Sequence, residues 1–163
     1  MIAVDSANIK LSSLLKDDFI ELNLEGKNKD QIISELVDII AKSGRVKNKK
    51  ALVEALLERE RLGSTGIGNG IAVPHAKIAG IKQTVLAFGR SVVGVNFNSL
   101  DGENTHLFFM LISPKDDIGA HLKILANISH LIKDRFVLGL FKKAKSKKEV
   151  LSVISNLEKS IAD

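Results

Sequence analysis

Gly63-Ser64-Thr65-Gly66-Ile67-Gly68-Asn69-Gly70-Ile71-Ala72-Val73-Pro74-His75 is where this chain changes character. Upstream of it, apolar residues recur at helical spacing. Downstream, they come in the short runs and alternations of strands. The glycines at 63, 66, 68 and 70 make residues 63–70 read as a loop. Ile71 to His75 then resumes β-like composition, with Ile71, Val73 and His75 on one side of the strand. Pro74 has no N–H to give to a sheet ladder, so the strand is an edge or is ending there, and His75 should reach the surface.

Working outward toward the amino terminus, Lys49 to Leu62 reads as a helix. Lys29 to Ser43 reads as another, with Ile32, Ile33, Leu36, Val37, Ile39 and Ile40 at three- and four-residue spacing and Gly44 ending it. Phe19 to Leu24 alternates Ile20, Leu22 and Leu24 against Phe19, Glu21 and Asn23, the pattern of a half-buried strand. Toward the carboxyl terminus, Thr84 to Phe88 and Leu107 to Ile112 supply two strands, the second apolar on both faces and therefore expected at the sheet's centre. Val92 to Asp101 reads as a turn-rich excursion with a short strand around Val95 to Phe97. Gly119 to Ile132 and Arg135 to about Lys159 are helical by periodicity, with breaks near Asp134 and Ser146. The order strand, helices, strands, helices predicts a mixed sheet with helices on its faces, in the α/β or α+β class, and 163 residues suit one domain.

Composition removes several functions. No apolar run approaches the roughly 18 to 20 residues that would span a bilayer, and Met1 to Phe19 has no continuous apolar core of a signal peptide, so the expected protein is soluble, not membrane-inserted, and cytoplasmic. Cysteine is absent, which removes disulfides, thiolate metal sites and cysteine nucleophiles. The net charge of +5 comes with no Trp, no Tyr and only seven Phe, and its lysines cluster at Lys47 to Lys50 and Lys142 to Lys148. Solvated helix faces account for such runs, and no nucleic-acid partner is expected.

Three side chains carry candidate chemistry. His75 follows the glycine loop, whose residues Gly66, Gly68 and Gly70 can turn their amides inward as an anion nest. The loop is neither a P-loop nor a dinucleotide fingerprint, and an ordinary surface histidine after a tight turn is the plain alternative. Arg59 falls on the apolar side of its helix with Leu52, Ala55, Leu56 and Leu62, where a guanidinium needs an anion or a cleft. A structural salt bridge would satisfy it equally. On the Gly119 to Ile132 helix, His121 faces inward with Ile124, Leu125, Ile128 and Ile132, while His130 faces water. His121 lies in the first turn, where the helix dipole favours an anion and disfavours imidazolium. His106 reads as structural. No histidine pair has metal-ligand spacing on a helix and no G-x-S-x-G elbow is present, so neither a metal nor a serine hydrolase is expected.

The run from Leu57 through Arg59-Glu60 and Gly63 to Gly70, ending in Ile71-Ala72-Val73-Pro74-His75-Ala76-Lys77, resembles the active-site signature of the type-2 EIIA family of the phosphotransferase system: the fructose, mannitol and nitrogen-regulatory IIA proteins. Gly119-Ala120-His121-Leu122-Lys123-Ile124-Leu125 resembles that family's second active-site histidine at a helix start. The resemblance covers residues 1–163 as one domain, with a core of about 14–158. It implies a mixed sheet flanked by helices on both sides. It also implies a phosphoryl carrier that accepts its group on His75 from an HPr-type (or NPr-type) phosphocarrier, with Arg59 and His121 at the site and no cofactor. Ser64, Thr65, Gly68, Asn69 and Gly70 are then the expected phosphate-binding set. Ala72, Val73 and Ala76 are expected to line a docking face. Partners implied are a sensor kinase or potassium-transport regulator for the nitrogen-regulatory branch, which this sequence resembles more, or a IIB protein for the sugar-transport branch.

Overall fold

The computed structural model describes residues 9–162; the first eight residues, part of the stretch read for a signal peptide, lie outside the described residues, as does Asp163. The elements run α1 (Leu11–Leu14), β1 (Leu15–Glu21), α2 (Lys29–Ala41), α3 (Lys49–Arg61), β2 (Gly66–Gly68), β3 (Ile71–Ala72), β4 (His75–Ile78), β5 (Val85–Val95), β6 (Thr105–Pro114), α4 (Ile118–Leu131), α5 (Arg135–Lys143) and α6 (Lys147–Ala162). Strand order is β1-β5-β6-β3-β2, with β4 also pairing β6. β1 runs parallel to β5, β5 antiparallel to β6, and β3 and β4 both parallel to β6, so the sheet is mixed and β6 lies inside it.

Residues 107–112 of β6 are all fully buried because both faces of the strand are covered. Alternation along it sorts the two layers. Phe108 packs edge-on against Phe97, and the Lys29 ammonium of α2 sits 4.7 Å from the Phe97 ring centre. Phe109, one residue on and on the opposite face, packs against Phe141 of α5 and Phe88. Helices α2 and α3 therefore cover one face, and α1, α4, α5 and α6 pack together on the other. Gly89 of β5 shows how close the first layer lies: a Cβ there would stand 2.6 Å from Leu24 Cδ1 and 2.8 Å from Leu36 Cδ2.

The helices follow their sequence signals. Asn28, Asn48 and Asp134 each accept a backbone N–H of the first turn of α2, α3 and α5, as N-caps do. Several strand expectations need correction. The first strand is Leu15–Glu21 rather than Phe19 to Leu24, and Phe19 is as buried as Ile20, because the partner strand β5 and helices on both sides decide the boundary. Residues 63–70 are not wholly loop: Gly66–Gly68 forms β2 against β3, in a hairpin that turns at Asn69 and Gly70, both at positive φ. No separate strand forms around Val95 to Phe97; β5 itself continues to Val95 with an irregularity after Arg90.

Candidate functional site at the start of β4

Ile71 to His75 is not one strand. β3 stops at Ala72 and β4 starts at His75, both on the same edge of β6, while the Pro74 carbonyl still accepts the Leu111 N–H at 2.9 Å. The missing proline N–H thus interrupts the strand without breaking its contact with β6. Among the described residues β4 pairs only β6, so His75 opens an edge strand there and is half-buried, in register with Leu111. The shared register puts His75 on the face of Leu111 and Ser113, toward α4.

From α4 comes His121, buried at 3% exposure, its ring centre 5.6 Å from that of His75. From α3, in the other layer, comes Arg59, whose Nε–H donates to His75 Nε2 at 3.3 Å and whose Nη1 donates to the Gly63 carbonyl at 2.9 Å. The edge of the sheet is where two helical layers can reach one strand end, and there these three side chains meet. Leu52 and Leu56 anchor α3 to the core, but Leu62 is exposed rather than core-facing, since the helix ends one residue before it.

The hydrogen bonds define the state of His75. Its Nδ1 lies 2.8 Å from the Val73 carbonyl, which can only accept, so Nδ1 carries the proton and Nε2 presents a lone pair to Arg59. Burial lowers the His75 pKa, as do the Arg59 and Lys77 charges; the Val73 carbonyl and Glu60 work against them. Burial, with the nearby His75 and Lys77, pushes His121 down to about 4. Both rings are neutral at pH 7. Among the described residues Arg59 has no carboxylate within ion-pair distance. Two of its five N–H groups are engaged, so the others are free to meet an anion beside His75.

The expected phosphate-binding loop divides. Thr65 is near the site, its carbonyl accepting the Val73 N–H, but its own N–H and hydroxyl both donate to the Glu60 carboxylate, at 3.1 and 2.6 Å. Ser64 gives its hydroxyl to the Phe97 carbonyl. Gly68, Asn69 and Gly70 lie elsewhere: the Asn69 N–H donates to Asp101, and the Gly70 carbonyl accepts from His106 and Leu107. Leu107 and Leu111 are four residues apart on β6, so the hairpin tip is displaced from His75 by about 13 Å or more. Its glycines serve the hairpin rather than an anion nest at His75. Ala72, Val73 and Ala76 are buried, not a docking face. The exposed apolar side chains on the site's elements are Leu62 after α3 and Ile118 and Leu122 on α4.

Two residues of this region went unread in the sequence. Glu60 is buried at 6% exposure, bonded to Thr65 and 3.2 Å from Lys29 Nζ; a carboxylate followed five residues later by threonine was the available signal. Ser113, fully buried, has its hydroxyl 2.7 Å from His121 Nδ1; a lone hydroxyl closing an apolar strand was the sign of it. His106 is half-buried, with Nδ1 3.0 Å from the Ser91 carbonyl, and His130 is exposed. Among the described residues no three His, Asp or Glu side chains converge as a metal site requires, and no helix is long and apolar enough to cross a membrane.

The chain that carries this site is similar in sequence and fold to known proteins. A fructose-specific EIIABC component of Bacillus subtilis is 38% identical over 93% of this chain, which spans about a quarter of that protein's length (24%). A fructose-specific EIIA component of Haloferax volcanii is 33% identical over 90% of this chain and 96% of its own. A nitrogen regulatory protein of Bradyrhizobium diazoefficiens is 32% identical over 81% of this chain and 86% of its own. The crystal structure of nitrogen regulatory protein IIA-Ntr from Neisseria meningitidis superposes with a TM-score of 0.83 at 29% identity, covering 88% of this chain and 98% of that one. Residues 13–157 match the family model for the phosphoenolpyruvate-dependent sugar phosphotransferase system, EIIA 2, and the chain, with its mixed six-stranded sheet between helices, belongs to that family.

Proposed function

We propose that this chain is a phosphoryl carrier that receives its group on Nε2 of His75 from an HPr-type phosphocarrier. The observation that carries this reading is the setting of that atom: Val73 holds the Nδ1 proton, and the Nε2 lone pair faces an arginine with no carboxylate partner among the described residues. In the transfer, the Nε2 lone pair attacks phosphorus as the bond to the donor's nitrogen breaks, and the donor nitrogen keeps that electron pair. Arg59 moves its free N–H groups onto the phosphoryl oxygens, and His121 is a second donor beside them. No proton need leave His75. Nδ1–H stays on the Val73 carbonyl while positive charge develops on the ring, which that carbonyl stabilises.

The nitrogen-regulatory role is the preferred one, supported by the Ser64-Thr65-Gly66-Ile67-Gly68-Asn69-Gly70 run and the 29% identical IIA-Ntr structure. Its output would be contact with a sensor kinase or potassium-transport regulator, switched by about −1.5 to −2 charge added at His75. The 38% identity to a fructose-specific protein favours a second reading, in which the group passes on to a IIB partner.

Incubation with labelled phosphoenolpyruvate, Enzyme I and HPr tests the carrier role. The wild type should take label that is lost in mild acid and kept in base, as from a phosphoramidate, and His75→Ala should take none. Full labelling of His75→Ala refutes the assignment. Label chased onto purified IIB proteins favours sugar transport, whereas a regulator captured by only one phosphorylation state favours the nitrogen-regulatory role.

A further inference from the structure

We propose that Ser113 is a positioning residue for phosphoryl transfer, donating its hydroxyl proton to His121 Nδ1 and so holding the ring as the tautomer whose Nε2–H points to the phosphoryl oxygens. The proposal rests on the carrier role of His75 and names the group that readies its neighbour.

Ser113 lies near the end of β6, in register with Lys77 of β4, two residues past Leu111 and hence on the same face of the sheet as His75. Its side chain is fully buried, and among the described residues the partner of its hydroxyl is His121 Nδ1, at 2.7 Å. A hydroxyl can donate or accept, so the protons available to the pair set the direction. Were Nδ1 protonated, the hydroxyl would accept and its own proton would be left buried with no acceptor among the described residues. Were the hydroxyl to donate, both groups would be satisfied. The second arrangement places the imidazole proton on Nε2.

Burial above all, with His75 and Lys77 nearby, keeps His121 neutral, so which nitrogen bears the single proton decides whether the ring can donate outward at all. With His75 5.6 Å away between ring centres, a phosphoryl group on its Nε2 falls within reach of such a donor. The backbone supports the geometry. The His121 N–H donates to the Asp117 carbonyl at 3.2 Å, closing the first turn of α4, and β6 holds Ser113 by pairing with β4. A strand and a helix thus hold the two partners, and only the hydroxyl proton has to choose.

Imidazole nitrogen-15 shifts of the unphosphorylated wild type read the tautomer directly and need no variant. Nε2–H with an acceptor Nδ1 is expected, and a protonated Nδ1 overturns the proposal. Ser113→Ala should give a tautomer mixture and slow phosphoryl transfer to and from His75 roughly tenfold or more, in the range seen when the partner orienting a functional histidine is removed. Ser113→Thr keeps the hydroxyl and should restore both readouts. A merely structural serine would move stability but neither the tautomer nor its rescue, so Ser113→Ala with wild-type shifts or wild-type transfer rates overturns the role, as does a folded Ser113→Thr that rescues neither. If the wild type takes no label at His75, the carrier reading fails. The nitrogen shifts still decide the hydrogen bond by themselves.

Discussion

Acidification should destabilise this protein well above the pH at which its carboxylates titrate, because His121 is neutral in the fold. Its pKa is pushed down to about 4 by burial and by the neighbouring His75 and Lys77, against an ordinary histidine value of 6.5. Between those values the unfolded chain binds the proton and the folded one does not, so stability is fully present above pH 6.5 and is lost as pH falls toward 4. A gap of about 2.5 pH units at 1.36 kcal/mol each amounts to at most about 3 kcal/mol. At pH 5 the unfolded ring is almost fully charged and the folded ring mostly neutral, giving a slope of about 1 kcal/mol per pH unit. His75, also lowered by burial, adds in the same direction. Asp101 does not confuse the window, since the Asn69 and Glu103 amides hold its carboxyl below the usual 3.8. Urea unfolding of the wild type and of His121→Gln, each at pH 7, 6, 5 and 4.5, isolates the His121 contribution, because glutamine can keep a bond to Ser113 but cannot titrate. The wild type should lose about 2 kcal/mol or more relative to the variant across that range. Parallel stability curves would refute the account of His121 as a buried neutral ring.

Arg59→Lys should fold with stability within about 1 kcal/mol of wild type yet be phosphorylated roughly ten- to a hundredfold more slowly, because an ammonium cannot give parallel hydrogen bonds to phosphoryl oxygens; equal single-turnover rates would remove Arg59 from the transfer. Glu60→Gln should cost about 2 to 4 kcal/mol in urea unfolding, since it leaves Lys29, only 17% exposed at its side chain, without its 3.2 Å counter-ion and offers Thr65 one acceptor where it now has two. A loss below about 0.5 kcal/mol would show that the Lys29–Glu60–Thr65 cluster does not hold residues 60–65 in place.

Much of the framework was legible because its causes are local. The stripe Ile32, Ile33, Leu36, Val37 and Ile40 and the apolar side of the next helix, with Leu52 and Leu56, act within a few turns, and α2 and α3 form where those signals stand. The apolar run of β6 announced a strand covered on both faces. Strand boundaries were less legible because a strand is stabilised by its neighbour: β1 begins at Leu15, β2 exists at all, and β5 continues to Val95 only through pairing with residues far along the chain.

For the site, residue chemistry and helical period picked out His75, Arg59 and His121, each on a separate element, and said which face of α3 and α4 the last two occupy. They could not say that a strand edge lets α3 from one layer and α4 from the other converge on the first residue of β4. Nor could they separate two uses of one glycine-rich run: Asn69 is spent on Asp101, and the Gly70 carbonyl on β6, while Thr65 turns inward to Glu60. Glycine permits a backbone path without choosing what its amides meet, and a buried hydroxyl such as Ser113 has no periodic signature at all. What the sequence by itself determined was therefore which side chains carry groups suited to a site. Which of them meet, and in which protonation state, was decided by sheet register and layer packing, because partners such as His75 and Arg59 or His121 and Ser113 are joined by distance in space and not by spacing along the chain.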